Sequence, residues 1–288
     1  MRTSPSFTRI VAGVACACCL ALGCLSGCSA AESGWDPSSG QSLYDYDLEH
    51  DLLALSSYEF DGIESFDGRA YYLEGDEVRS KVGIDVSDHQ EAINWSKVAA
   101  SGVDFALVRC GYRGYTEGQI QADERFETNF SSAKSAGFSV GVYFYSQALD
   151  ADEGREEAEY VLDLLGDEVT DLPVVFDLEV GEDEDARTKD IESSQATEAA
   201  VAFCETIEAA GRDAMVYVNK DTATNLVDLA QLQDCSFWYA EYGDAPSLGF
   251  DFGLWQYSDS GQVFGIDGDV DLDLWFDGAD LAKGTQSS

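Results

Sequence analysis

Leu172-Pro173-Val174-Val175-Phe176-Asp177-Leu178-Glu179-Val180 places two carboxylates two residues apart at the end of a run of apolar, strand-forming residues. Side chains alternate faces along a strand, so Asp177 and Glu179 point one way while Phe176 and Leu178 pack on the other. Asp and Glu number 56 among 288 residues, and in such a chain a D-x-E triplet arises by chance on the order of ten times. The triplet alone says little. Its setting is informative, because strand interiors are depleted in Asp and Glu, and two acids on one buried face cost free energy unless chemistry needs them. Acid-catalysed cleavage of a glycosidic bond needs such a pair, one carboxyl to protonate the leaving oxygen and one to steady the developing cation.

Working outward from this strand, strand-like and helix-like segments alternate. Before it come Val82–Val86 as a strand, Trp95–Ser101 as a helix, Phe105–Arg109 as a strand and Asp123–Ala136 as a helix stopped by Gly137. Ser139–Tyr145 (strand) and Ala151–Leu165 (helix) follow. After Val174–Glu179 come a helix at Ser193–Ala210 stopped by Gly211, a strand at Ala214–Val218, a helical Asp221–Leu229 and a strand at Ser236–Tyr239. The last part, Phe252–Tyr257 and Val270–Leu272, has short strands and little room for helices. Alternation of this kind implies parallel pairing with right-handed crossovers. Five β-α units followed by helix-poor strands predict an α/β fold, an irregular TIM-like barrel. Catalytic groups in such barrels sit at the C-terminal strand ends, where Asp177, Glu179 and Asp85 fall.

The formal charge of −40 argues against binding nucleic acid and against adhesion to anionic lipid through surface charge. Arg2 and Arg9 precede an apolar, small-residue stretch from Ile10 to Leu25, as in a signal peptide. The segment ends Leu25-Ser26-Gly27-Cys28, which resembles a bacterial lipobox; residues 1–27 are then a lipoprotein signal peptide and Cys28 the lipidated N-terminus. The expected location is the outer face of the bacterial cytoplasmic membrane and the wall, with the lipid as membrane anchor. Residues 28–80 are acidic and suit a partly ordered spacer, although Tyr58, Phe60, Phe66, Tyr71 and Tyr72 could pack locally or on the domain. The barrel is expected over 81–280, with a tail at 281–288. Five of the eight cysteines lie at or before Cys28. Cys110, Cys204 and Cys235 remain, enough for one disulfide at most, and read as small core residues.

Several motifs resemble the glycoside hydrolase family 25 lysozymes, N-acetylmuramidases of the cellosyl or Chalaropsis type. They are Gly83-Ile84-Asp85-Val86-Ser87 with His89-Gln90 and Ile93-Asn94-Trp95, Phe105 through Arg113, and Gly141-Val142-Tyr143-Phe144-Tyr145-Ser146. The Asp177-x-Glu179 pair, Phe237-Trp238-Tyr239-Ala240-x-Tyr242, Leu254-Trp255-Gln256-Tyr257-Ser258 and Gly265-Ile266-x-Gly268-x-Val270-Asp271-Leu272-Asp273 complete the set. The resemblance implies a (β/α)5(β)3 barrel that cleaves the β-1,4 bond between N-acetylmuramic acid and N-acetylglucosamine. It assigns Glu179 as general acid and Asp177 as the group that orients the substrate N-acetyl group or acts as nucleophile, and it favours retention assisted by that N-acetyl group. Asp85 and Asp271 resemble the other two acids of the site. Asp273 stands where the family's Asp-x-Asn commonly has Asn, and Asp88 where many relatives have His or another residue.

A general acid must keep its proton near neutral pH, which burial and neighbouring carboxylates achieve together. Tyr143, Tyr145, Tyr217, Trp238, Tyr239 and Tyr257 fall near strand ends, where rings can stack on sugars or simply fill the barrel. Tyr143, Tyr145, Tyr217, Trp238 and Gln256 are the candidate substrate-binding residues. Arg109 is expected to balance acids inside the barrel, and His89 to be a loop histidine. No cofactor or metal is expected: Asp267 through Asp273 has an EF-hand-like start, but its sixth and twelfth positions, Leu272 and Gly278, fail the pattern. The partner is the peptidoglycan glycan strand and the protein is expected to be a monomer. Two alternatives remain open at this level, a catalytically silent wall-glycan-binding lipoprotein and a hydrolase of another amino-sugar polymer.

Overall fold

In the computed structural model, which describes residues 34–181, 183–279 and 281, the alternating segments close into a barrel. The expected signal peptide, Cys28 and nearly all of the tail lie outside the described residues. In chain order the elements begin with α1 (Leu43–Glu49), β1 (Ile63–Phe66), β2 (Arg69–Glu74), β3 (Glu77–Val78), β4 (Ser80–Val86) and α2 (Trp95–Ala99). Next come β5 (Phe105–Arg113), β6 (Ile120–Ala122), α3 (Phe126–Ala136), β7 (Ser139–Ser146), α4 (Ala151–Leu165), β8 (Val174–Leu178) and α5 (Ser193–Ala209). The chain closes with β9 (Ala214–Asn219), α6 (Lys220–Asn225), β10 (Ser236–Ala240), β11 (Leu254–Gly261) and β12 (Val270–Phe276). Around the barrel the order is β4-β12-β11-β10-β9-β8-β7-β5, and β4 also pairs with β5, which closes the ring. All neighbours run parallel except β12, which is antiparallel to both β11 and β4. This is the five-unit, three-strand barrel the sequence predicts.

Strand parity divides the core in two. Val174, Phe176 and Leu178 of β8 face the helices, as do Val140, Val142 and Phe144 of β7. Val175, Tyr143, Leu107, Met215, Trp238 and Leu254 face the barrel axis. Phe105 fills the axis near the strand starts, and it fits because its neighbour is Gly83: a Cβ there would come within 2.1 Å of the ring. Among the helices, α4 carries Ala158, Val161 and Leu165 on one buried stripe, the spacing of a single helical face. Asp150 caps its first turn by accepting from the Glu153 N–H. Helix α5 crosses so close at Gly154 that an added Cβ would meet the Ala199 carbonyl oxygen at 2.3 Å.

Several segments differ from expectation for local reasons. Asp123 is not helical; its carboxylate accepts from the Arg125 and Asp88 N–H groups and from Arg109, so the helix begins at Phe126. The helix expected at Asp221–Leu229 ends at Asn225, and Asp228 caps a separate 3-10 turn at Leu229–Leu232. Strand β12 continues to Phe276 because Leu272, Leu274 and Phe276 keep one buried face. Strand β8 ends at Leu178, leaving Glu179 one residue beyond it. Cys110, Cys204 and Cys235 are buried free thiols.

The segment before the barrel packs on it. No helix follows β10 or β11, so the outer faces of the last strands need another cover. The antiparallel β1-β2-β3 meander and the chain around it supply one. Tyr58 stacks on Phe276 at 4.6 Å, Phe60 stacks on Phe252 at 5.4 Å, and Tyr72 meets Phe276 edge-on at 5.3 Å. Tyr44 of α1 meets Phe250 edge-on at 6.3 Å, and its hydroxyl accepts from the Gly249 N–H. Tyr44 and Tyr72 are buried and Tyr58 and Phe60 half-buried against these strands. Of the aromatics whose packing the sequence leaves open, Tyr58, Phe60 and Tyr72 thus meet barrel side chains, whereas Phe66 is exposed.

Candidate active site

The axis-facing parity that gives apolar residues deep in the barrel gives polar ones at the C-terminal strand ends. There Asp85 of β4, Asp177 of β8 and Asp271 of β12 line a cavity of about 430 Å³, with Glu179 just past β8. Tyr143, Tyr145, Tyr217, Trp238 and Gln256 line the same cavity. All nine barrel positions singled out from sequence therefore converge on one hollow. Tyr239 and Tyr257 do not: their parity turns them outward, where Tyr239 packs on Phe250 and Phe252, and Tyr257 on Trp255.

Register sets the neighbours. Asp271 stands directly opposite Asp85 on the paired strands. Asp177 lies between Tyr145 on β7 and Tyr217 on β9. Gln256 ties the two sides together: its Nε2 donates to Asp85 Oδ2 at 2.8 Å, and its Oε1 accepts from the Tyr217 and Tyr242 hydroxyls at 3.1 and 3.2 Å. Trp238 forms the floor, with the Tyr217 and Tyr143 rings edge-on at 4.8 and 5.9 Å, and its indole N–H donates to Asp273 Oδ1 at 2.9 Å. Asp177 Oδ1 is buried and has no hydrogen-bond partner among the described residues.

Burial pushes Asp85 and Asp177 well above the ordinary carboxyl range. For Asp85 the carboxyls of Asp271 and Asp273 add to burial, and the Gln256 amide opposes it. For Asp177, Glu179 adds and the Arg109 guanidinium opposes. Glu179 is raised by burial, an effect the Tyr217 hydroxyl opposes. Asp271 is pushed up to about 6 by burial and Asp259, with Asp85 opposing. Burial and mutual repulsion thus favour the protonated form throughout the site. That is the state acid catalysis requires.

Arg109 reaches the cavity wall, with its Nε donating to Asp123 at 2.8 Å and its Nη2 to Asp88. It thus balances acids at the rim more closely than those on the axis. His89 lines the cavity with a side chain that is 75% exposed, 3.7 Å from Asp88. Tyr242, Ser87 and Gln90, which belong to the motifs but not to the candidate site residues, also line the cavity. Tyr242 had a signal: it continues the parity of Trp238 and Ala240 beyond the strand. Among the described residues no group of His, Cys, Asp and Glu is arranged to hold a metal ion.

The sequence profile of the glycosyl hydrolases family 25 matches residues 84–266. The chain belongs to that family. Among its relatives, the autolytic lysozyme of Clostridium acetobutylicum is 29% identical over 206 residues, covering 70% of this chain and 58% of that protein. Lysozyme M1 of Streptomyces globisporus is 32% identical over 200 residues, covering 66% of this chain and 65% of that one. The chain thus spans between half and two thirds of the length of both relatives. The fold resembles that of the modular autolysin LytC from Streptococcus pneumoniae, solved in complex with a synthetic peptidoglycan ligand. The TM-score is 0.61 at 23% identity, over 75% of this chain and 52% of that one. The family 25 match includes Asp85, Asp177 and Glu179 and ends before Asp271, which rejoins them through its pairing with Asp85.

Proposed function

We propose that the chain is a peptidoglycan hydrolase that cleaves the β-1,4 bond between N-acetylmuramic acid and N-acetylglucosamine, with retention of configuration. Glu179 donates its proton to the glycosidic oxygen as the C1–O bond breaks. The N-acetyl carbonyl oxygen of the muramic residue closes on C1, and Asp177 accepts the N–H of that amide, orienting it and balancing the developing positive charge. Water then attacks C1 as the bond from C1 to the N-acetyl oxygen breaks and the acetamido group re-forms, and it loses its proton to the Glu179 carboxylate, which restores the acid. Asp85 and Asp271 set the electrostatics beside this pair, and the Tyr143, Tyr217 and Trp238 rings hold the sugar. The observation that carries the reading is Asp177 Oδ1, a buried acceptor with no donor among the described residues, beside Glu179, whose carboxyl burial raises. The lysozymes among the relatives and the peptidoglycan ligand of the structural neighbour support the substrate class.

The same proposal includes export, cleavage before Cys28, lipidation of that cysteine and action as a monomer on nearby wall glycan. The deciding experiment is mass analysis of muropeptides released from purified walls by wild type and Glu179→Gln. The wild type should yield products with muramic acid at the reducing end, and Glu179→Gln at most about a thousandth of the rate. Equal digestion by both would remove Glu179 from the mechanism. A tight glycan complex with no new reducing ends from wild type would favour a silent binder.

A further inference from the structure

Behind Glu179 lies a pair of polar side chains that the chemistry above leaves unused. Gln147 and Thr188 are both fully buried. Gln147 directly follows β7, and Thr188 belongs to the connection from β8 to α5. The Gln147 amide donates to the main-chain carbonyl of Glu179 at 2.9 Å and to that of Ser146 at 3.0 Å. Its Oε1 accepts from the Thr188 hydroxyl at 3.0 Å. That hydroxyl accepts in turn from the Gly181 N–H at 3.0 Å, and the Glu179 carbonyl lies 3.4 Å from it. Both amide hydrogens and the amide oxygen of Gln147 are thereby used, which fixes the orientation of the group.

The consequence is local. β8 stops at Leu178, so the sheet does not by itself fix the peptide that carries the Glu179 side chain. The two side chains grip the main chain at residues 179 and 181, either side of Val180. The same two connections are tied elsewhere as well: Arg187 pairs with Glu153 at 2.7 Å, and the Gln195 amide donates to the Leu149 carbonyl at 3.1 Å. Loss of one hydroxyl would therefore loosen the grip on Glu179 without releasing the whole connection.

We propose that Gln147 and Thr188 are positioning residues for Glu179, holding its backbone so that the carboxyl meets the glycosidic oxygen at one height. This rests on the reading of Glu179 as general acid. Neither side chain touches substrate; each acts through the peptide it grips. Proton donation tolerates little error in position, and a displacement of the order of 1 Å can cost on the order of 100-fold in rate. Ground-state binding depends on the tyrosines and Trp238 and is left unchanged.

The test compares Thr188→Val, Thr188→Ser, Gln147→Met and Glu179→Gln on soluble glycan strands prepared from purified walls, at least about 15 °C below each variant's melting midpoint. Thr188→Val should lower kcat roughly 10- to 100-fold with KM within about twofold, and Thr188→Ser should restore kcat. A purely structural hydroxyl would lower the midpoint and leave kcat of the folded protein alone. Gln147→Met, which keeps the Thr188–Gly181 bond, reports the same split should Thr188→Val not fold. Wild-type kcat in folded Thr188→Val or Gln147→Met beside an inactive Glu179→Gln overturns the positioning role and leaves the general acid standing. Full activity in Glu179→Gln overturns both.

Discussion

Asp85 and Asp271 stand opposite one another on β4 and β12. Two carboxyl groups so placed in a buried site disfavour ionising together, so the barrel mouth favours protons that the unfolded chain would release.

The first prediction concerns stability against pH. Asp271 is pushed up to about 6, and Asp47 and Glu157, both buried, to about 7. Their folded pKa values lie above their unfolded ones, so the folded state binds more protons and stability falls as pH rises. The contribution is fully present below the unfolded carboxyl values near 4 and is lost through the interval from about 5 to 8. The melting midpoint should drop by at least about 3 °C over that interval, and Asp271→Asn should flatten part of the slope. A midpoint that climbs with pH at fixed ionic strength contradicts this.

The Tyr217 hydroxyl favours the ionised form of Glu179 and so holds its pKa down. Tyr217→Phe removes that influence. The alkaline limb of the kcat/KM profile should move to higher pH, because the general acid then keeps its proton longer. The ring remains on Trp238, so activity at the optimum should stay within roughly tenfold of wild type. Hydrolysis of soluble glycan followed from pH 4 to 9 reads the limb directly, and a shift to lower pH would reverse the assigned role.

Asp273 has no exposure, accepts from the Trp238 indole N–H at Oδ1 and leaves Oδ2 without a partner among the described residues. Burial raises it well above the ordinary range, and Asp271 adds to this. An amide at this position could still accept from the indole while carrying no charge at any pH. Asp273→Asn should therefore raise the melting midpoint at pH 8, by about 1–2 kcal/mol of stability, and change little at pH 5. Equal shifts at both values would argue against an ionisable Asp273.

How much of this was readable from the chain follows from how far each signal reaches. Parity alone turned Asp177 toward the axis and Phe176 toward the helices, because alternation is local and the run was long. The convergence of Asp85 and Asp271 needed the resemblance, since the two lie far apart in sequence and meet only by antiparallel pairing. Tyr239 and Tyr257 were candidates by position near strand ends, and one step of parity excluded them from the cavity. Gln147 and Thr188 left no trace in the motifs. Their role comes from which main-chain groups the β8 connection leaves to be satisfied, a property of the folded loop. Asp123 was placed in a helix by propensity, and three donors from elsewhere drew it out.

The aromatic coat over the last strands has a practical meaning. Residues 34–80 precede the family match, and a gene begun where that match begins would strip the shield from Phe250, Phe252 and Phe276. A greasy flank laid bare in this way invites self-association. The smallest self-sufficient barrel thus starts near Leu43, and its side wall comes from the chain that leads into it.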